Sequence, residues 1–239
     1  MDIKNNGAAE EKLSDKLFYK KKSAYDILDR SVIEDAYSYS KGYVKFIDSA
    51  KTEREAVREA VKMAEAAGFV PYTFGMKINP GGRYYYNNRS KGLFVFTAGK
   101  RDIEEGIKII AAHIDSPRVD LKQVPVYEDG GMCFFKTHYY GGIRKYQWTT
   151  LPLALHGVII KKDGTSVDIV VGEDDGEPVF CINDLLPHLA QEQNAKPLGT
   201  AIPGESLNLL AGACPYGAEG DERIKLNLLK ILNDKYGIT

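Results

Sequence analysis

The chain has 239 residues, 44% of them hydrophobic and 27% charged, a balance that suits a globular protein of one or two domains. Its formal net charge of −1 gives no electrostatic reason to expect nucleic acid as a partner, and no stretch approaches the roughly 20 apolar residues of a membrane span. The polar residues 1–12 do not have the pattern of a signal peptide, and the three cysteines lack metal-type spacing. These features predict a cytoplasmic protein with neither a membrane nor a nucleic acid as its partner.

Two amphipathic helices are predicted in the first third of the chain. Ser31 and Glu34 form a capping-box pattern, and apolar residues then recur at helical spacing. Thr52 and Glu55 form a second capping box ahead of a helix whose apolar stripe contains several alanines. Gly68 is the expected end of that helix. Small residues on the stripe indicate close packing against a neighbouring element.

A hairpin and a buried strand follow. Residues 83–87 and 93–97 are rich in aromatic residues and flank a polar turn, so they predict an antiparallel pair. The run from Ile107 to Ala112 is almost continuously apolar, which is typical of a parallel strand covered on both faces, and Pro117 ends it. Open α/β sheets place their ligands at the carboxyl ends of such strands. This part of the chain therefore predicts the beginning of an α/β domain.

Beyond residue 120 the pattern changes to short strand-like runs separated by turns. The clearest runs are Met132–Phe135, Pro152–Ile160 and Val167–Val171. They predict a β-rich module. The remaining segments are predicted as a short helix over 181–194, a loop over 195–215 and an amphipathic terminal helix over 221–236.

His113 and Asp115 follow the apolar run and carry the strongest chemical signal in the chain. Side chains alternate along a strand with period two, so both would point to the same face. That spacing suits a metal-binding imidazole whose second ring nitrogen is held by a carboxylate. The alternatives are a structural histidine at the end of a strand and a carboxylate that accepts hydrogen bonds from nearby backbone N–H groups.

The fragment from His113 to Pro117 resembles the metal-binding motif of the aspartyl aminopeptidase family. These enzymes are two-zinc exopeptidases related to the vacuolar aminopeptidases. Segments on both sides of the motif extend the resemblance, so that it covers most of the chain. The resemblance to the family's hairpin before the motif lies in residues 83–86 and 92–96. The resemblance to its inserted β-rich domain lies in residues 140–143 and 184–190.

The resemblance implies the fold class and the division into domains. Residues 1–120 would form an incomplete three-layer α/β catalytic domain of the zinc-peptidase type, with helices, a hairpin and a buried parallel strand. Residues 121–239 would form the β-rich inserted domain, which in the family makes the dimer contact and covers the active site. Trp148 is expected in the core or at a subunit interface, because aromatic residues are enriched at both.

The resemblance also implies roles for three residues. His113 would be a zinc ligand, and Asp115 would orient its ring and raise its basicity. His188 would be either a metal ligand or a residue that reaches the active site of a neighbouring subunit. The alternative for His188 is a surface pair with Asp184 across one helical turn. The other two histidines, His138 and His156, are predicted to be structural.

Further ligands are expected from the family's chemistry. The family uses a bridging aspartate, a Glu-Glu pair and other carboxylate and histidine ligands, all of which come after the inserted domain. The pairs Glu10-Glu11 and Glu104-Glu105 both precede His113 and match none of these. We therefore expect this chain to be the N-terminal portion of such an enzyme, without the C-terminal catalytic part, and to be inactive alone.

The function expected by resemblance is metal-dependent removal of N-terminal residues, above all acidic ones, from peptides. Two zinc ions would serve the complete enzyme, and cobalt or manganese could replace them. Dimers that build larger homo-oligomeric particles are expected. One alternative is a non-catalytic oligomerisation module left by truncation, and another is a related glutamyl or deblocking aminopeptidase.

Overall fold

The computed structural model describes Leu13 and residues 17–238, so the predicted polar tail over residues 1–12 lies outside the described residues. The chain divides into two compact units, one ending at Asp48 and the other beginning at Ser49. The fold is mixed α/β with small open sheets. Among the described residues, no helix is long and apolar enough to cross a membrane.

Between residues 18 and 48 the first unit includes helix α1 (Ala24–Ile27) and helix α2 (Arg30–Ser49), which runs one residue past Asp48. Helix α2 begins at Arg30, so Ser31 lies inside its first turn and the capping box predicted there is wrong. Glu34 instead accepts a hydrogen bond from Nε of Arg30 at 3.0 Å, one helical turn away. No described residue of α2 is buried.

The second unit opens with helix α3 (Glu53–Ala66), and its predicted capping box is confirmed. The hydroxyl of Thr52 accepts from the backbone N–H of Glu55 at 3.3 Å, and the Glu55 carboxylate accepts from the Thr52 N–H at 2.9 Å. Just past the other end of the helix, Gly68 adopts φ +81°. This conformation lets two backbone N–H groups beyond the helix donate back to carbonyl groups of its last turn.

A small sheet follows α3. Strand β1 (Val70–Pro71) pairs in parallel with β2 (Arg83–Asn88), which pairs with β3 (Gly92–Thr97) as the predicted antiparallel hairpin. The hydroxyl of Tyr85 donates to Glu65 at 2.6 Å and thereby ties β2 to α3. The hairpin prediction is confirmed.

The buried parallel strand predicted over residues 107–113 is wrong. These residues have no regular secondary structure, and Ile110 is 100% exposed. A strand forms only where a neighbouring strand satisfies its backbone N–H and C=O groups. Strand β3 pairs with β2, and in the described part of the chain no strand lies beside residues 107–113. The apolar run therefore remains extended and open to solvent.

The β-rich module predicted after residue 120 is confirmed, although its first strand begins earlier. Strands β4 (Arg118–Asp129) and β5 (Met132–Tyr140) form a long antiparallel hairpin. Their register breaks between Leu121 and Val126, where Val124 adopts φ +48° and bulges into solvent. A second hairpin joins β6 (Leu155–Ile160) to β7 (Ser166–Val171).

The segment after β7 differs from its predicted form. Only Gln191–Asn194 (α4) is helical within the helix predicted over 181–194. The loop predicted over 195–215 contains helix α5 (Leu198–Ala201) and strand β8 (Leu209–Gly212), which pairs with β5. A strand this short lacks enough alternation to be recognised from its pattern.

The core of the second unit lies between the β4–β5 hairpin, the β6–β7 hairpin and the terminal helix. Helix α6 (Arg223–Tyr236) is confirmed, with Gly237 at φ +61° as its cap, and it buries Ile224 and Leu228 while Ile231 stays exposed. Burial of these apolar side chains is the main favourable term in folding. The most enclosed side chains of the core are those of Cys133, Phe135, Ile182 and Leu207.

Candidate metal centre

The structure brings His113 and Asp115 into contact. Nδ1 of His113 lies 3.1 Å from Oδ1 of Asp115 and 2.9 Å from the Asp115 carbonyl oxygen. Both neighbours are acceptors, so a neutral ring donates its proton from Nδ1 and keeps a lone pair on Nε2. The His113 side chain is 84% exposed. Its Nε2 is therefore accessible to a metal ion.

The second oxygen of Asp115 is held by a tyrosine. The hydroxyl of Tyr140 donates to Oδ2 of Asp115 at 2.8 Å. This hydrogen bond, with smaller contributions from the Asp115 backbone and from His113, lowers the pKa of the Asp115 carboxyl below its ordinary value. The same contact raises the pKa of the Tyr140 hydroxyl. Asp115 is therefore a carboxylate acceptor at neutral pH.

The end of strand β5 places Tyr140 beside Asp115. Tyr140 pairs with Arg118 across the β4–β5 hairpin. The next residue, Gly141, has φ +80°, and a Cβ built on it would lie 3.4 Å from the Cα of Pro117. Glycine adopts this backbone conformation without steric cost. It therefore lets the chain after β5 pass close to Pro117, two residues from Asp115.

Arg118 fixes the ring of Tyr140 from the other side. Its guanidinium carbon lies 4.1 Å from the centroid of the Tyr140 ring, within the range of a cation–π contact. The same guanidinium donates to Asp120 at 2.8 Å and to Glu53 at 3.1 Å. Since Glu53 belongs to α3, this network joins the helix to the β-rich hairpin beside the His113–Asp115 pair.

His188 lies in a different environment. It is exposed in a turn over residues 187–189, so the helix predicted around it is absent at this position. Oδ1 of Asp184 accepts hydrogen bonds from the Leu185 N–H at 2.8 Å and from the Gln193 side chain at 3.0 Å. A pair between Asp184 and His188 across one helical turn requires a helix here, and that alternative is wrong.

Comparison with known proteins identifies the family. The family model of the aminopeptidase I zinc metalloproteases (M18) matches residues 46–239. The chain belongs to the M18 family. Its match to that model includes His113, Asp115, Tyr140 and His188.

Similar M18 proteins are known from bacteria, and a yeast structure shares the fold. A probable M18 family aminopeptidase 1 from Clostridium acetobutylicum is 48% identical over 91% of this chain and 48% of its own length. The crystal structure of an M18 aminopeptidase from Thermotoga maritima has a TM-score of 0.83 at 42% identity, over 93% of this chain and 48% of that one. The S. cerevisiae mApe1 dodecamer, 20% identical over 86% of this chain and 46% of that one, shares the fold with a TM-score of 0.61.

The M18 chain spans about half the length of these relatives. Among the described residues, no group of three or more histidine, cysteine, aspartate or glutamate side chains is placed to hold a metal ion. Structural zinc sites have four ligands, and catalytic ones have three protein ligands. His113 and Asp115 thus fit one imidazole ligand and the carboxylate that orients it. The described structure does not join them to His188 in a group of this kind.

Tyr140 and Arg118 are the contacts of this centre that sequence reasoning missed. The only signal was the glycine pair Gly141-Gly142 directly after a strand, which is typical of a turn or a close backbone approach. The pattern did not indicate which residue would be approached. The strand register that sets Tyr140 against Arg118 depends on the bulge in β4. Pro125 is the local mark of that bulge, but a proline in a strand does not give the register shift that follows from it.

Proposed function

We propose that this chain is part of a zinc-dependent aminopeptidase and that His113 is one of its metal ligands. The observation that carries the proposal is the His113–Asp115 pair, which leaves Nε2 of His113 free and lies inside the M18 match. A bound zinc ion would act as a Lewis acid toward the scissile carbonyl. In that centre Asp115 holds the His113 ring in the tautomer that can bind the metal.

The proposed substrate is the N-terminal residue of a peptide, acidic residues above all. Two metal ions would serve the complete enzyme, and cobalt or manganese are possible substitutes because imidazole and carboxylate donors accept them. Since no group of three or more histidine, cysteine, aspartate or glutamate side chains among the described residues is placed to hold a metal ion, we expect this chain alone to hold zinc weakly and to release no amino acids.

Metal titration tests the proposed ligand. The purified chain is titrated with zinc while the histidine side chains are followed by NMR, and His113 is expected to shift first. His113→Ala should abolish this binding, whereas His138→Ala, which removes another exposed histidine, should leave it unchanged. Zinc binding that survives His113→Ala would overturn the assignment.

An activity assay tests the expectation that the chain is inactive alone. Peptides with N-terminal aspartate, glutamate or leucine are incubated with the zinc-loaded chain, and released amino acids are measured with and without a chelator. Robust chelator-sensitive release would overturn the expectation. The preference among the three peptides in that case would test the proposed acidic specificity directly.

We also propose the division into a catalytic part over residues 1–120 and an inserted domain over residues 121–239, and a homo-oligomeric state. The three-layer arrangement of the catalytic part belongs to this proposal. The β-rich hairpins that follow residue 117 support the division into domains. The fold shared with the yeast dodecamer supports the homo-oligomeric state.

His188, exposed in its turn, is proposed to reach a neighbouring subunit's active site. Light scattering measures the molar mass of the purified chain, which shows whether the chain self-associates. A lower molar mass for His188→Ala would show that His188 contributes to assembly.

A cytoplasmic location is proposed from the cysteines. Cys133, Cys181 and Cys214 are all free thiols, and reduced cysteines are the rule in the cytosol. Thiol alkylation of the protein in intact source cells, followed by mass analysis, would check that all three are reduced there.

A further inference from the structure

We propose that Tyr140 is a positioning residue of the metal centre: its hydroxyl fixes Asp115, and Asp115 fixes the imidazole of His113 with Nε2 free. The proposal deepens the proposed function and rests on it for the identity of the metal ligand. Tyr140 lies 25 positions after Asp115 in sequence, and it contacts Asp115 rather than His113.

The Asp115 carboxylate is held at both of its oxygens. Oδ1 faces Nδ1 of His113 at 3.1 Å, and Oδ2 accepts from the Tyr140 hydroxyl at 2.8 Å. A carboxylate with one partner can rotate about its Cβ–Cγ bond. With two partners on opposite oxygens it has one preferred orientation, in which Oδ1 joins the Asp115 carbonyl oxygen, 2.9 Å from Nδ1, in orienting the imidazole.

The tie to Tyr140 matters because the segment that carries His113 has no regular structure. Residues 107–117 belong to no strand or helix, so no ladder of backbone hydrogen bonds sets the direction of the His113 side chain. The segment reaches the β4–β5 hairpin through the Tyr140–Asp115 bond, the approach of Gly141 to Pro117, and a bond from Arg118 to the Ser116 carbonyl at 3.2 Å.

Tyr140 is itself held in place, as a positioning residue must be. Its backbone lies in the β4–β5 ladder opposite Arg118, and the Arg118 guanidinium covers its ring. Glu53 and Asp120 hold that guanidinium in turn. Tyr140 is therefore held at its backbone, at one face of its ring and at its hydroxyl.

Tyr140→Phe is the variant that tests the proposal, because it removes the hydroxyl and keeps the ring under Arg118. Tyr139→Phe is the matched control, since it removes the hydroxyl of the adjacent tyrosine, which is also exposed. Far-UV circular dichroism and urea unfolding first establish that both variants fold. The readouts are the tautomer of His113 in the metal-free chain, from nitrogen-15 imidazole shifts at mildly alkaline pH, and the dissociation constant for zinc.

The wild-type chain and Tyr139→Phe should carry the His113 proton on Nδ1. In Tyr140→Phe the Asp115 carbonyl oxygen, 2.9 Å from Nδ1, still accepts from the ring, so the share of the proton on Nδ1 should fall without reaching the mixture shown by a free imidazole. The zinc dissociation constant should rise about ten-fold, the lower end of the effect of losing an outer-shell partner. An unchanged tautomer together with unchanged zinc affinity in Tyr140→Phe would overturn the proposal.

Failure of the proposed function would look different. If zinc does not bind at His113 in the wild-type chain, the ligand assignment fails, and the tautomer comparison between Tyr140→Phe and Tyr139→Phe still decides whether Tyr140 positions Asp115. If the wild-type His113 carries its proton on Nε2, the positioning proposal fails whatever the zinc result.

Discussion

Nδ1 of His156 lies 2.9 Å from Oε1 of Glu55, a residue 101 positions earlier in the chain. The other ring nitrogen, Nε2, lies 2.7 Å from Glu173. Both neighbours are carboxylates, so a protonated imidazole can donate to both. His156 thereby joins the first turn of α3 to strand β6 and to the loop after β7. The sequence prediction that His156 is structural agrees with this position.

Replacing His156 should destabilise the second unit. The side chains of His156 and Glu55 are only 13% and 11% exposed, so His156→Ala removes the imidazole hydrogen bond to Oε1 of Glu55 in a largely enclosed site, while Oε2 keeps its bonds from Thr52. We expect a loss of about 2 kcal/mol in the free energy of unfolding, the range for hydrogen bonds to charged groups. Urea unfolding measures it. His138→Ala, at an exposed position, should change the free energy by less than about 0.5 kcal/mol, and equal losses in the two variants would contradict this role.

Glu177 should titrate far below an ordinary glutamate. Lys235 donates to its carboxylate, the Gly172 N–H donates at 2.8 Å, and together they lower the pKa of Glu177 to about 2. Because this pKa is depressed in the folded chain, the stabilisation is present above the ordinary value of 4.5 and is lost as pH falls toward about 2. Carbon-13 NMR of the carboxyl group measures the midpoint.

Lys235→Met should raise the pKa of Glu177, because it removes the largest cause of the shift. The control is Lys230→Met, which removes a lysine of the same helix that pairs with Asp234 instead. A Glu177 midpoint that stays near its wild-type value in Lys235→Met would contradict the assignment of the shift to Lys235.

Gly141 should tolerate no side chain. Its φ of +80° strains any residue with a Cβ, whereas the added atom would meet Pro117 at an ordinary van der Waals distance of 3.4 Å. We expect Gly141→Ala to cost about 1–2 kcal/mol in the free energy of unfolding. The neighbouring Gly142→Ala meets no atom within 4 Å and needs no positive φ, so it should be close to neutral. Thermal unfolding of the two variants checks this, and similar melting temperatures would contradict the argument.

Leu207 should be a large contributor to the core of the second unit. It is 0% exposed and packs with the side chains between the two hairpins, so Leu207→Ala should cost about 2–5 kcal/mol through lost burial and a residual cavity. Leu186, 59% exposed, provides the matched control, and Leu186→Ala should be close to neutral. Urea unfolding measures both variants, and equal free energies of unfolding would contradict the placement of Leu207 in the core.

The elements that could be predicted from the sequence are those with local signals. These signals come from residues within a few positions of one another. They give the capping box at Thr52, the hairpin over residues 83–97 and the terminal helix capped by Gly237. Ser31 shows the limit, because the same capping pattern stands there one residue inside a helix that begins at Arg30.

Long-range pairing explains the parts that could not be predicted. The apolar run after Gly106 has the composition of a buried strand, but its conformation depends on a partner strand that the described residues do not supply. The same holds for the candidate metal centre. The pairing of His113 with Asp115 was predicted from the alternation of side chains along a strand, and the contact forms although these residues belong to no strand. The contact with Tyr140 depends on the β4–β5 register. That register follows from the bulge at Pro125, and a proline in a strand marks a bulge without giving the register shift that it produces.

The exposed apolar run from Ile107 to Ile114 has a practical consequence for handling the chain. Extended, β-prone, weakly charged segments with free backbone groups are templates for intermolecular cross-β assembly. Ile110, wholly open to solvent, is the position where a charged substitution disturbs no packing. A lysine there should keep concentrated samples free of fibrils and precipitate without changing the melting temperature.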